Sequence, residues 1–143
     1  MSETDLYHPL IIRRNKEPLF FTRNHDGIEL HAYNPVCGDE YHIVLTVNDQ
    51  QIDRITFNGY GCAVSKAAID LLLEQVQTLN IHEAKEAIAL YLKTLEMEVP
   101  PDVESYPLAV FQKVKYHPSR KECAILGANS LLSFLNEHQK KMK

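Results

Sequence analysis

Long apolar runs, an excess of positive charge and paired cysteine motifs are all missing from this 143-residue sequence. No stretch approaches the roughly 18 consecutive apolar residues of a membrane-spanning helix. Residues Met1 to Lys16 carry too many charges for a signal peptide. The expectation is a cytosolic protein with no membrane partner. Lys and Arg total 15 against 19 Asp and Glu, a formal charge of −4 with a pI near 5.9. That balance excludes the general attraction to phosphate backbones from which nucleic-acid binding starts. The three cysteines form an odd set with no Cys-x-x-Cys among them. They fall far short of the roughly 8–10% of a disulfide scaffold, and their spacing supports neither a zinc ribbon nor a thioredoxin-like motif, so they are expected to be reduced. The seven histidines lack the close spacing of a metal-binding helix, and most of them read as surface residues. No internal repeat is visible.

What remains suits one domain, residues 1–143, with 45% hydrophobic and 24% charged residues, close to globular averages. The stretch from Leu6 to Phe21 mixes apolar pairs with Arg13, Arg14 and Lys16 and reads as an amphipathic helix docked on the domain. Ile28–Tyr33, Glu40–Val47 and Gln51–Asn58 are rich in β-branched and aromatic residues and read as an antiparallel meander. Strict alternation puts Ile52, Arg54 and Thr56 on one face of the third strand, and Asp53, Ile55 and Phe57 on the other. After the break at Asn58-Gly59-Tyr60-Gly61, residues Cys62 to Leu79 carry Ala, Val, Ile and Leu at helical spacing, which predicts a largely buried helix. Asn80 and Glu83 have the spacing of a capping box that opens a helix reaching about Leu95. Pro100, Pro101 and Pro107 mark an ordered loop, Pro107–Lys113 a short helix, and Ser119-Arg120-Lys121-Glu122 a second capping box before the final helix. The fold class is α+β: a small three-stranded antiparallel sheet packed against several helices.

Asn34-Pro35-Val36-Cys37-Gly38-Asp39 carries a thiol and a carboxylate on either side of a glycine. In extended backbone, residues i and i+2 point the same way, so Cys37 and Asp39 can reach one centre. They supply two ligands where a closed zinc site takes four, which brings Cys62 and Cys123 into consideration. Both lie at predicted helix starts, where the positive end of the helix dipole favours thiolate. Taken singly, Cys-Gly-Asp is as much at home in an ordinary turn, and a cysteine at a helix start as a small buried hydrophobe.

Taken together and in order, Asn-Pro-Val-Cys37-Gly-Asp39, Gly59-Tyr-Gly61-Cys62-Ala-Val-Ser65 and Arg120-Lys-Glu-Cys123-Ala-Ile-Leu126 resemble the three cysteine motifs of the iron–sulfur assembly family that contains IscU, SufU and the NifU N-terminal domain. The resemblance spans roughly Leu6 to Leu135. It implies a small antiparallel sheet covered by helices with the cysteines gathered at one end. The long interval between Cys62 and Cys123, Glu122 in place of a histidine before Cys123, and the absence of a Leu-Pro-Pro-Val-Lys segment place the chain nearer the SufU-like branch. That branch implies zinc held by Cys37, Asp39, Cys62 and Cys123, and transfer of persulfide sulfur from a cysteine desulfurase, a pyridoxal-phosphate enzyme, toward downstream iron–sulfur assembly proteins. Cys37 is the implied sulfur acceptor, and Arg120 is placed to steer an anionic sulfur species. The alternative is a non-enzymatic scaffold that builds a transient [2Fe–2S] cluster on the same ligands. The capping-box spacing turns Glu122 back toward Ser119 and away from the metal.

Overall fold

The computed structural model describes residues 8–22 and 26–141, residues 139–141 as backbone only. The described elements are α1 (Pro9–Lys16), β1 (Ile28–Asn34), β2 (Asp39–Asn48), β3 (Gln51–Tyr60), α2 (Ala63–Val76), α3 (Ile81–Thr94), a 3-10 helix (Pro107–Tyr116) and α4 (Pro118–Lys141). The strands form the expected antiparallel meander in the order β1-β2-β3. Asp49 and Gln50, at φ of 52° and 64°, supply the paired left-handed residues of a two-residue hairpin turn between β2 and β3.

Alternation along β2 puts Tyr41, Ile43 and Leu45 in the core, all fully buried. In β3 the simple alternation fails. Ile52 and Ile55 are both buried although an odd number of residues apart. The register slips where Thr46 pairs with Arg54 but Val47 with Ile52, leaving Asp53 as the extra residue of a bulge that returns Ile52 to the inner face.

The buried helix is α2, covered on most of its circumference by α1, α3, α4, the 3-10 helix and β3. The first helix is shorter than its apolar pairs suggest. It ends at Lys16, ahead of Pro18, which has no N–H to continue the ladder and restricts the residue before it. Phe20 and Thr22 instead hydrogen-bond to both sides of Phe57, running parallel to β3 and covering part of its free edge. Leu6 and Tyr7 lie outside the described residues. Arg14 joins α1 to α2, its Nε donating to Asp70 Oδ2 at 2.6 Å and its Nη1 to Glu74 Oε1 at 2.9 Å. Asp70, wholly buried, also accepts the N–H groups of Leu19 and Phe20.

The Asn80–Glu83 capping box is fully formed, with both reciprocal bonds present. At the other end of α3, the O–H of buried Tyr91 donates to the carbonyl of Ala124 at 2.6 Å and fixes α3 against α4. Leaving that carbonyl or hydroxyl unpaired in the core would cost about 1–3 kcal/mol. The second predicted capping box is not the start of α4. His117 precedes the helix, Pro118 takes its first position, where the missing N–H costs nothing, and Ser119 is already helical. The carbonyl of His117 accepts from the N–H groups of Arg120 and Lys121. No described helix is long and apolar enough to cross a membrane.

Candidate metal centre

The centre forms where the β1–β2 turn meets the starts of α2 and α4. Asn34 and Asp39 face each other as the last register pair of β1 and β2. Between them the chain does not stay extended. The side-chain oxygen of Asn34 accepts the N–H of Val36 at 3.2 Å, its carbonyl accepts that of Gly38 at 2.8 Å, and Gly38 takes φ +76°. Cys37 and Asp39 therefore converge through a left-handed turn, for which glycine is suited, and not through extended i, i+2 geometry. The turn carries the half-exposed Cys37 thiol to 3.9 Å from the Ser119 carbonyl, at the first turn of α4.

Cys62 is the N-cap of α2, and its sulfur accepts the N–H of Ser65 at 3.4 Å. Its own N–H donates to Asp39 Oδ1 at 2.9 Å, which ties the sheet to the helix. Ser65 is held in turn by the carbonyl of Cys62 at 3.1 Å and by the O–H of Tyr41 at 2.9 Å. Burial pushes the Tyr41 hydroxyl far above the usual phenol range, so it stays a neutral hydrogen-bonding group. Gly61 leaves room for this cluster. A Cβ there would come within 2.5 Å of Asp39 Oδ1 and the Tyr41 oxygen.

Cys123 corrects the sequence reading. It lies in the second turn of α4, is fully buried, and does not enjoy the thiolate bias of a helix N-terminus. Burial first, then the neighbouring Asp39 carboxylate, the Cys37 thiol and the charge of Cys62, push its thiol far above the ordinary range. The Asn34 side-chain amide donates toward its sulfur at 3.9 Å.

Cys37, Asp39 and Cys123 bring their donor atoms within 4.8 Å of one another. Cys62 is outside that closest trio, yet its thiol is a hydrogen-bond and charge neighbour of Cys123. Asp39 is wholly buried, and while Oδ1 holds the Cys62 N–H, Oδ2 has no hydrogen-bond partner. A buried carboxylate oxygen without a partner, on a residue gathered with the Cys37 and Cys123 thiols, fits a cation. Three sulfurs and one oxygen are the donor set of a closed tetrahedral zinc site, in which two thiolates on one ion sit roughly 3.8 Å apart. Thiolates equally suit an iron–sulfur centre. Arg120 lies three residues before Cys123, in the turn of α4 that the Cys37 thiol approaches. Glu122 is exposed on α4 without the predicted cap, since Ser119 is not the N-cap. Asn34, Tyr41 and Ser65 emerge as supporting residues that the cysteine spacing did not single out.

Comparison with known proteins gives a family, two relatives and two structural neighbours. Residues 7–143 match the NifU-like N-terminal domain family. The chain is 23% identical over 127 residues to the zinc-dependent sulfurtransferase SufU of Bacillus subtilis, covering 88% of this chain and 86% of that one. It is 26% identical over 128 residues to the iron–sulfur cluster assembly scaffold protein IscU of Streptococcus pyogenes, covering 88% and 80%. The fold superposes with a TM-score of 0.80 on a putative SUF-system assembly scaffold protein from Fervidobacterium islandicum, at 24% identity over 91% of this chain and 96% of the other. A NifU-like N-terminal protein from Brucella abortus gives 0.81 at 14% identity, covering 96% of each.

Proposed function

The chain belongs to the NifU-like N-terminal domain family, an iron–sulfur cluster assembly family, and from that premise we propose that it is a zinc-dependent sulfurtransferase that accepts persulfide sulfur from a cysteine desulfurase. Zinc would be held by Cys37, Asp39, Cys62 and Cys123, in line with the orphaned Asp39 Oδ2. When bound, the ion would keep the thiols ionised at neutral pH and offset their mutual repulsion.

The observation that carries the transfer role is the difference in access among the sulfurs. Cys123 is fully buried; Cys37 and Cys62 are both half-buried, but Cys62 is engaged as the cap of α2, whereas Cys37 sits on a turn beside Val36, which is 82% exposed. An incoming persulfide can therefore meet Cys37 first. The Cys37 thiolate attacks the outer sulfur of the donor persulfide, and the donor's S–S bond breaks. Its electron pair leaves on the donor cysteine, which takes up a proton, and a new S–S bond leaves Cys37 as a persulfide. No net oxidation is required. Arg120 would neutralise the anionic sulfur, and Asn34 and Ser65 hold the turn and the Cys62 cap in place. The setting is cytoplasmic, and the receivers are downstream assembly proteins.

The test is anaerobic purification followed by metal analysis, an absorption spectrum, and addition to a desulfurase supplied with cysteine. One zinc per chain with a faster desulfurase turnover supports the reading. A coloured cluster without stimulation would replace it with the scaffold role.

A further inference from the structure

The face of the sheet turned away from the helices carries a second group of donors. His31 and His42 are register partners on β1 and β2, and their rings stack with centroids 5.0 Å apart at 24°. Glu40 is two residues before His42 and so projects from the same face. Its Oε2 lies 2.7 Å from His31 Nε2, and its Oε1 accepts the O–H of Tyr60 at 3.1 Å. Glu29, the next outward residue of β1 on the other side, places Oε1 2.6 Å from His42 Nδ1. That nitrogen is buried and the contact lacks the alignment of a hydrogen bond, so the ring is held close to a carboxylate without being bonded to it. One donor atom each from His31, Glu40 and His42 falls within 4.8 Å of the others.

We infer that this face binds a divalent transition-metal ion through His31, His42 and Glu40, separately from the thiol centre. Two imidazoles and a carboxylate are the donors that zinc, nickel, copper(II) and ferrous iron accept, whereas magnesium and calcium take oxygen. With neutral histidines, the two glutamates give the face two negative charges, which a dication offsets. The ion takes the place now filled by the proton shared between His31 and Glu40. Glu29 Oε1 lies near enough to Nδ1 of His42 to accept its N–H once the ring realigns on a metal, which would give the carboxylate–histidine–metal arrangement. Tyr60 orients Glu40 from its second oxygen. Three protein donors leave at least one position of a tetrahedral ion open, so the site can bind a small exogenous ligand, unlike the closed thiol centre. The inference does not depend on the sulfur-transfer reading, because none of its ligands is a cysteine.

The experiment uses the full chain carrying one equivalent of zinc, titrated with further zinc while the imidazole nitrogens are followed by long-range proton–nitrogen NMR. A second equivalent should bind and move the signals of His31 and His42. The His31→Gln/His42→Gln variant should keep the first equivalent and lose the second. Both changes are on the exposed face, and an unchanged amide spectrum elsewhere verifies the fold. Binding of one equivalent only, a second equivalent retained by the variant, or shifts confined to another histidine such as His82 beside Glu86, would overturn the assignment.

Discussion

The carboxylate of Asp39 accepts the backbone N–H of Cys62 at 2.9 Å with one oxygen and leaves the other buried and unpaired beside the thiols. One side chain thus closes the sheet onto α2 and contributes charge to the centre, and two substitutions separate these roles. Asp39→Asn keeps an acceptor for Cys62 but removes the charge. It should lose zinc to a chelator faster than the parent, while its metal-free form denatures no earlier. Asp39→Ala also leaves the Cys62 N–H unsatisfied and should lower unfolding free energy by about 1–3 kcal/mol. Equal zinc retention in all three proteins would remove Asp39 from the ligand set.

Removing the metal should lower the melting temperature, at about 2–4 °C for each kcal/mol that binding contributes. The pH dependence follows from Cys123. Its thiol titrates higher in the folded, metal-free chain than in the unfolded one, so the metal-free protein should lose stability as pH rises through the ordinary thiol range, where only the unfolded state sheds the proton. Zinc loading has to displace that proton, so affinity should fall as pH falls. Calorimetric titrations in buffers of different ionisation enthalpy should show proton release on loading, and a melting temperature unaffected by chelator would contradict the coupling.

Cys37→Ala should abolish uptake of isotopically labelled sulfur from the desulfurase, and Asp39→Ala should retain a fraction of it. Mass spectrometry locates the label. Its appearance on Cys123 in the Cys37→Ala protein would move the acceptor role to that buried thiol.

Asp70 is more exposed to loss than its partner. Asp70→Ala leaves Arg14 with Glu74 as its remaining carboxylate partner and strands the N–H groups of Leu19 and Phe20, and should cost about 1–3 kcal/mol in chemical denaturation. Arg14→Leu leaves Asp70 two backbone donors and should cost less. The reverse order would mean that α1 contributes through packing and not through this carboxylate.

Glu122 should be a quiet position. With Ser119 already inside α4, Glu122→Ala should change stability by no more than about 0.5 kcal/mol, and zinc content should be unchanged. A loss near 1 kcal/mol would restore the capping box.

Periodicity predicted the strands and the buried α2 because packing acts on every residue of those elements. It failed in β3 because a bulge is a property of two strands together, and Ile52 gives no sign of Asp53 stepping out. The Asn80–Glu83 box was legible because both partners are local, whereas the same spacing at Ser119–Glu122 lost to Pro118, whose ring suits the first helical position one residue earlier. Motif resemblance proposed Cys37, Asp39, Cys62 and Cys123 as a set, of which the structure brings Cys37, Asp39 and Cys123 closest together, but the burial of Cys123, which reverses its expected ionisation, depends on the docking of α4. His31 and His42 looked scattered. Once Asn34 faces Asp39 across the turn, however, His31 has to face His42, so the hairpin register was the missed signal.

The proposed thiol centre would draw its donors from a strand turn, the cap of one helix and the second turn of another, elements remote in sequence. A bound ion consequently works as a rivet through the seam between sheet and helices. Swinging α4 away from β1 would require shearing it, while fraying at the Asp49–Gln50 hairpin tip would not. Loading should therefore slow amide exchange along α4 and leave that tip breathing as before.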